Sequence, residues 1–376
     1  MDMSGLVAGM IEDGAFSRIV NNPMAQFGPV TRQYLGAQIL PERTVPENSY
    51  TEESIRYRTV IANDGTRYSP VQLKRGLLQG NMHVVLGDSD IGSHFTSADY
   101  DAVIRLLQRS QPAMGGASPF AGQDRPSMTA VQQMTNWADA TLNLPLVELC
   151  EVQRWQAIVN AQVIRQGDGG YAETVGYPNP PGHRVTAAGQ WSNDAYDPYS
   201  DFMAAQIFLA TKGFTIGRII ASQPVIAKLQ KNINIRQRLG LLSVAGGLIT
   251  GLAGHASLAA INNLLNGDNL PGLEHYDLQY RTQTGSNFFL PRNVCVMIAT
   301  TGRDESIDRG DLEPLLVENV LGYHGIGRAA GQSTPGRAVV VNTFGNKPPR
   351  VEGEAWQTHL PVITEPEGVY VISGIS

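Results

Sequence analysis

One stretch of this chain repeats apolar residues every three or four positions for far longer than any other: Leu142, Leu146, Leu149, Val152, Trp155, Val159 and Val163. That spacing puts them on one helical face and predicts a helix from Pro126, in its first turn, to residue 166. About forty residues at 1.5 Å each give roughly 60 Å, with a kink expected near Pro145, whose ring and missing N–H interrupt the ladder. A coiled coil or bundle helix is the ordinary explanation for such length, yet no second helix to match it is predicted elsewhere. The glycines of "GDGG", residues 167–170, close it.

On either side the pattern changes. "SIRYRTVIA" and "TRYSPVQLKRGLLQGNMHVVLG", within 54–90, read as strands joined at Asn63, Asp64 and Gly65, a turn signal supplying the positive φ angles of a tight hairpin. Charged and apolar residues mix on both faces, so the hairpin is expected to project and to be completed by a partner subunit. "SADYDAVIRLLQRS" (97–110) predicts a helix capped by Ser97. "YAETVGYPNPPGHRVTAAG" predicts two short strands around a proline-rich turn. Beyond it, "DPYSDFMAAQIFLATKG", "QPVIAKLQKN" and "SLAAINNLLNG" read as helices, and "FTIGRIIAS", "HYDLQYRTQTG" and "NVCVMIATT" as strands. This interleaving predicts an α/β or α+β lobe over 198–330. "EAWQTHLPVITEPEGVYVISGI" adds two strands expected to return to the first lobe. The first fifty residues carry Pro23, Pro29, Pro41 and Pro46 without periodicity and read as an arm that lies on something else.

Composition sharpens this. A length of 376 residues suits two lobes. Apolar residues make up 42% and charged ones only 16%, a surface short of charge for a freely soluble monomer, so much of it is expected to face protein. A net charge of −6 argues against a dedicated nucleic-acid binder, and any contact with DNA is expected to be loose. Cys150 and Cys295 sit in separate apolar segments and read as reduced core residues of a cytosolic protein. No stretch near the N-terminus has the make-up of an export signal. The longest apolar run, 239–254, falls short of the roughly 18 residues a membrane span needs.

The candidate chemistry is sparse. "QWSNDAYDPYSD" (190–201) gathers Asn193, Asp194, Asp197 and Asp201 and raises three readings: a calcium loop, a catalytic carboxylate cluster, or a hinge between lobes. The spacing lacks the alternate ligands and central glycine of an EF-hand, and Pro198 occupies its middle. Capping accounts for the residues better, with Asp197 as N-cap, Pro198 at N1 and Asp201 in the first turn. Seven histidines (His83, His94, His183, His255, His275, His324 and His359) show no metal spacing, so zinc ligation has no support in the sequence. "GYHGIGRAAGQ" (322–332) holds a lone Gly-x-Gly without the helix and acidic partner of a dinucleotide site, and reads as a flexible loop. No Gly-x-Ser-x-Gly elbow occurs. The basic "KNINIRQRLG" reads as a solvated helix face.

The order of these elements, with the strings "QWSNDAYDPYSDFMAA", "IIASQPVIAKLQKN", "NFFLPRNVCVMIATTG" and "EAWQTHLPVITEPEGVYVISGI", resembles the lambda-type major capsid (head) proteins of tailed phages, which have the Hong Kong 97-like fold. In that family a tryptophan and a Tyr-Asp-Pro precede the first helix of the axial domain, as Trp191, Tyr196, Asp197 and Pro198 do here. A Phe-Leu-Pro leads into a strand leaving that domain, like Phe289, Leu290 and Pro291. The resemblance spans essentially the whole chain and is strongest over 190–376.

It implies an α+β capsid fold: N-terminal arm (1–50), extended hairpin loop (51–95), peripheral domain (96–197) with spine helix 126–166, axial domain (198–330), and a return to the peripheral domain (331–376). It further implies a structural protein without cofactor, assembled in the host cytoplasm into hexamers and pentamers of an icosahedral head around double-stranded DNA. Separate scaffolding, portal and decoration or cement proteins are the implied partners. Leu241 and Leu248, in a run more apolar than an exposed tip should be, are candidates for the capsomer axis. Some relatives cross-link a hairpin lysine, and Lys74 lies in that segment, but lambda-type members do not use this chemistry. The same fold builds prokaryotic nanocompartments that enclose enzymes, and only the lambda-like strings favour a virus. A soluble metal-dependent enzyme using the loop 190–201 is the third reading.

Overall fold

A five-stranded sheet stands as a wall between two hydrophobic cores, and the alternation of its side chains states why. In the computed structural model, which describes residues 34–57, 77–110, 135–167, 171–241, 243–245, 248–250, 255–282, 285–300, 321–344 and 350–376, this sheet has the order β11-β8-β14-β18-β7. The strands are β7 (Arg184–Thr186), β8 (Thr215–Ala221), β11 (Leu273–His275), β14 (Cys295–Thr300) and β18 (Val369–Ser373). Successive strand residues point to opposite faces. Ile220, Val296, Ile298, Val369 and Val371 therefore join one core, while Ile219, Ala221, Cys295, Met297, Tyr370 and Ile372 join the other. Both faces are covered, so the strands read as continuous apolar runs.

The second core is closed by helices α4 (Tyr199–Thr211), α5 (Gln223–Lys231) and α7 (Leu258–Gly267), whose buried residues include Phe202, Leu209, Val225, Leu229, Ile261 and Leu265. Short α6 (Ile233–Arg238) follows α5 directly, its N-cap Asn232 accepting from the N–H groups of Asn234 and Ile235. These elements lie where the apolar periodicity of 198–270 predicts them, with Pro224 in the first turn of α5 as expected.

The first core is built on the long helix. Residues 135–138 are helical, Asp139–Asn143 form a π-helical turn, and α3 runs from Leu144 to Asn160. The irregularity expected near Pro145 takes the form of this π turn. Pro145 has no N–H to give the carbonyl four residues back, and its ring would press on that carbonyl; a wider turn relieves both. The helix does not reach 166. Ala161 adopts the left-handed conformation with φ of 51°, which a right-handed helix cannot continue, and Gln162–Gln166 is strand β5, paired with β6 (Ala172–Gly176). Val163, four residues after Val159, fits a helical period by coincidence; the β-branched pair Val163-Ile164 belongs to a strand.

A second five-stranded sheet packs on α3. In it β17 (Arg350–Ile363) pairs with β16 (Arg337–Phe344), β4 (Gly87–Thr96) and β15 (Gly322–Ile326), and β15 also pairs with β1 (Glu42–Thr44). Several predicted boundaries move as a result. The chain from Tyr34 to Thr44, read as part of an arm that lies on something else, packs on the first core: α1 (Leu35–Ile39) and the residue after it bury Leu35, Ile39 and Leu40 there, and β1 is a sheet strand. The hairpin proper is β2 (Ser49–Tyr57) with β3 (Leu77–Val85), while β4, counted with it in the sequence, belongs to the sheet. "GYHGI" is a fully buried strand and not a flexible loop, because its residues alternate between the covered faces of a sheet. A short hairpin of β12 (Gln279–Thr282) and β13 (Gly285–Phe288) precedes β14, and the C-terminal segment divides, β17 joining the second sheet and β18 the wall between the cores. Helix α2 (Ser97–Ser110) is capped one residue earlier than expected: Thr96 Oγ1 accepts the Asp99 N–H, and Asp99 Oδ2 accepts the Thr96 N–H, a reciprocal capping box. Among the described residues, no helix is long and apolar enough to cross a membrane.

Candidate functional site

The loop 190–201 folds into a knot of hydrogen bonds at the entrance of α4. Trp191 is fully buried in the second core, its ring 5.4 Å from that of Phe202. Its Nε1 donates to Asp201 Oδ2 at 2.7 Å, and the Tyr196 hydroxyl donates to Asp201 Oδ1 at 2.5 Å. Asp197 Oδ1 accepts the Tyr199 N–H at 3.1 Å across buried Pro198, and its Oδ2 accepts from Arg238 Nη2 at 2.6 Å. The Arg238 guanidinium also lies 4.7 Å above the Tyr199 ring. The Tyr199 hydroxyl donates to Asp268; burial, then that carboxylate, push its pKa to about 12. Asn232 Nδ2 donates to the carbonyls of Trp191, Asn193 and Tyr196, pinning the loop to α6.

Both oxygens of Asp197 and of Asp201 thus already accept from protein donors, and the loop presents no convergent set of open carboxylates. Trp191 packs into the second core, with α4 and α5, and not into the first. Leu241 is 40% exposed just beyond α6, and Leu248 begins β10 (Leu248–Thr250), which pairs with β9 (Ser243–Ala245). The turn residues Asn63, Asp64 and Gly65, and Lys74, lie outside the described residues.

Distant segments meet in a second place, which spacing in the sequence could not reveal. Cys150 on α3, His324 on β15 and His359 on β17 come together fully buried between helix and sheet. His324 Nε2 is 2.9 Å from His359 Nδ1, and Cys150 Sγ is 3.6 Å from the same nitrogen. His359 Nε2 meets Ser89 Oγ at 3.0 Å. Gln357 Nε2 donates to Cys150 Sγ at 3.0 Å, and Arg337 Nε donates to Gln357 Oε1 at 2.6 Å, which fixes the amide's orientation. Burial, and then the positive charges of Arg165, Arg337 and Arg154, hold His359 down to about 3, and burial depresses His324 as well. Both rings are neutral at ordinary pH. Beside them Glu42 accepts from Arg337 at 2.8 Å and from Arg154 at 3.4 Å, balancing the buried cations. The absence of metal spacing among the histidines in the sequence is compatible with this meeting, because the register of β15 against β17 and not the sequence interval sets the proximity of His324 and His359.

A helix-backed pair of sheets with a long hairpin is a mixed α+β architecture, the Hong Kong 97-like capsid fold. The chain is similar to a solved putative capsid protein of a prophage from E. coli CFT073, at 14% identity with a TM-score of 0.56, over 97% of this chain and 98% of that one. It is also similar to a phage-related protein from Bordetella bronchiseptica RB50, at 11% identity and a TM-score of 0.48 over 90% and 91% of the two chains. A third similarity is to the chain of an encapsulin complex from Synechococcus elongatus PCC 7942, at 10% identity and a TM-score of 0.42 over 92% and 88%. No family model matches the sequence, and no curated protein matches it.

Proposed function

We propose that this chain is the major capsid protein of a tailed phage, assembling into hexamers and pentamers of an icosahedral head around double-stranded DNA. The observation that carries the reading is the fold shared end to end with the prophage putative capsid protein. The chain's own surface supports it. Val85 at the base of the hairpin, Ile207 on α4, and Val340 and Phe344 on edge strand β16 are exposed apolar side chains. Such residues, with a sheet edge that no strand among the described residues pairs, suit subunits that bury one another. Each subunit then makes several modest interfaces, which closed symmetry adds into a shell. The net acidity suits a lining that must release its DNA.

In this reading α3 is the spine of the peripheral domain, β2 and β3 reach over a neighbour, and the lobe from α4 through β14 is the axial domain gathered at the five- and six-fold axes. The loop 190–201 sets the angle at which that lobe begins. A separate scaffolding protein, a portal and a decoration protein are the partners, and the virion is the destination. Electron microscopy of the purified protein tests the proposal: closed shells or rings of five and six subunits are expected, with nuclease-protected DNA inside particles from infected cells. Protein cargo instead would identify a nanocompartment, and a small monodisperse oligomer would end both readings. Leu241→Asp with Leu248→Asp is expected to block ring closure; normal shells from that variant would remove these leucines from the axis.

A further inference from the structure

We propose that Cys150, His324 and His359 form a binding site for one zinc-type divalent cation, which staples α3 to strands β15 and β17. The ligand atoms are the Cys150 thiolate sulfur, His324 Nε2 and His359 Nδ1, all within 4.8 Å of one another and all buried. A tetrahedral zinc ion, with Zn–S near 2.3 Å and Zn–N near 2.0–2.1 Å, sets its ligands about 3.5 Å apart for sulfur to nitrogen and about 3.3 Å for nitrogen to nitrogen. Two of the three separations are 3.6 Å and 2.9 Å, so one fits and one opens by a few tenths of an ångström, while the third, Cys150 to His324, lies within 4.8 Å and closes as the ion draws the sulfur in.

His359 Nδ1 faces both a second imidazole nitrogen and a thiol, and a neutral ring nitrogen has one proton or one lone pair to offer, so at most one of these two contacts is a full hydrogen bond. The surroundings are those of a ligated set. His359 can donate Nε2–H to Ser89 Oγ, the outer bond that orients a metal-bound histidine through its other nitrogen. Gln357, locked by Arg337, donates to the sulfur, as a thiolate requires. An open groove of about 490 Å³ lined by Asp88, Asp90 and Glu354 includes Ser89 in its wall, so carboxylates gather cations beside the hydroxyl that touches His359. Two imidazoles with one thiolate select a borderline-soft ion over calcium or magnesium.

The full chain, free of affinity tags, is expressed in zinc-supplemented and in cobalt-supplemented minimal medium, and its metal content is measured by mass spectrometry. About one ion per chain is expected, and the cobalt form should show the near-ultraviolet charge-transfer band of a cobalt thiolate. Only two cysteines exist, and Cys295 lies in the other core. Cys295→Ser is expected to keep the band and Cys150→Ser to lose both band and ion. Wild-type protein without stoichiometric metal in either medium overturns the site, as does a band that disappears with Cys295→Ser. Cys295→Ser decides the matter even where Cys150→Ser fails to fold.

Discussion

The Tyr276 hydroxyl donates to Glu151 Oε1 at 2.7 Å, joining the long helix to the chain leaving β11 across 125 positions of sequence. The same oxygen accepts the Gly36 N–H and Trp155 Nε1, each at 2.8 Å, and Arg154 faces the other oxygen at 3.5 Å. One fully buried carboxylate therefore ties α1, α3 and the wall of the second lobe together.

Glu151→Ala strands three donors and a guanidinium in the interior, and it is expected to cost about 3–5 kcal/mol in denaturant unfolding. Tyr276→Phe removes one bond and should cost about 1–2 kcal/mol. Because the residues share that bond, the double variant is expected to lose less than the sum, which a double-mutant cycle reads directly. Strict additivity would mean that Tyr276 is held by its stacking on Trp155 alone, 5.2 Å between rings.

Asp197 has two jobs that substitution can separate. Asp197→Ala loses the acceptor for the Tyr199 N–H and the Arg238 pair, for about 1–2 kcal/mol, most of it from the bond to the first helical N–H because the ion pair is partly exposed. Asp197→Asn keeps an acceptor and should recover most of that. Calorimetry with and without added calcium is expected to leave the melting temperature of each variant of this loop unchanged by the ion, whatever the difference between variants; a calcium-dependent shift would reopen the metal reading.

Asp139 sits buried in the π turn, and burial raises its carboxyl pKa against the smaller opposing effect of Asn143, whose Nδ2 donates to it at 2.9 Å. A raised carboxyl pKa means that the native state holds the proton more tightly than the unfolded chain, so ionisation at neutral pH costs stability. Asp139→Asn is expected to raise stability at pH 7, and the advantage should shrink as pH falls through the raised pKa and vanish below the ordinary value of 3.8. Urea unfolding at pH 7 and at pH 4 tests the sign; a variant less stable at pH 7 would show that the carboxylate makes a favourable contact.

What was legible in the sequence follows from range. At the entry to α4 the local part was readable, Asp197 accepting the Tyr199 N–H two residues on. The helix begins at Tyr199, however, with Pro198 and not Asp197 at the N-cap position, and Asp201 is held by the more distant Trp191 and Tyr196. The first turn of α5 was readable through Pro224. The continuous apolar strands of 215–221 and 295–300 announced themselves by composition. The end of α3 was not readable, since it depends on the left-handed backbone of Ala161, a residue with no special preference for that conformation. Burial of Glu151 inside a helix read as amphipathic was equally hidden, because its partners Gly36 and Tyr276 are far along the chain. His324 and His359 look unrelated until β15 is laid antiparallel on β17, where Ile326 stands opposite His359 and His324 opposite Pro361.

That register has its own test at Gly322, the first residue of β15. A Cβ built there would lie 1.9 Å from the Val362 carbonyl oxygen and 3.0 Å from the Ile363 Cα, both backbone atoms that no rotamer change can move. Gly322→Ala must therefore push β15 from β17, weakening the ladder that sets His324 beside His359, and a cost of about 2–4 kcal/mol is expected. Gly331 gives the contrast: a Cβ there meets nothing within 4 Å, but φ is 77°, so Gly331→Ala should cost only about 1 kcal/mol of backbone strain. Chemical denaturation of the two variants side by side distinguishes them. Equal losses would show that β15 shifts freely on β17, and the positions of both histidines would then not be held by the sheet.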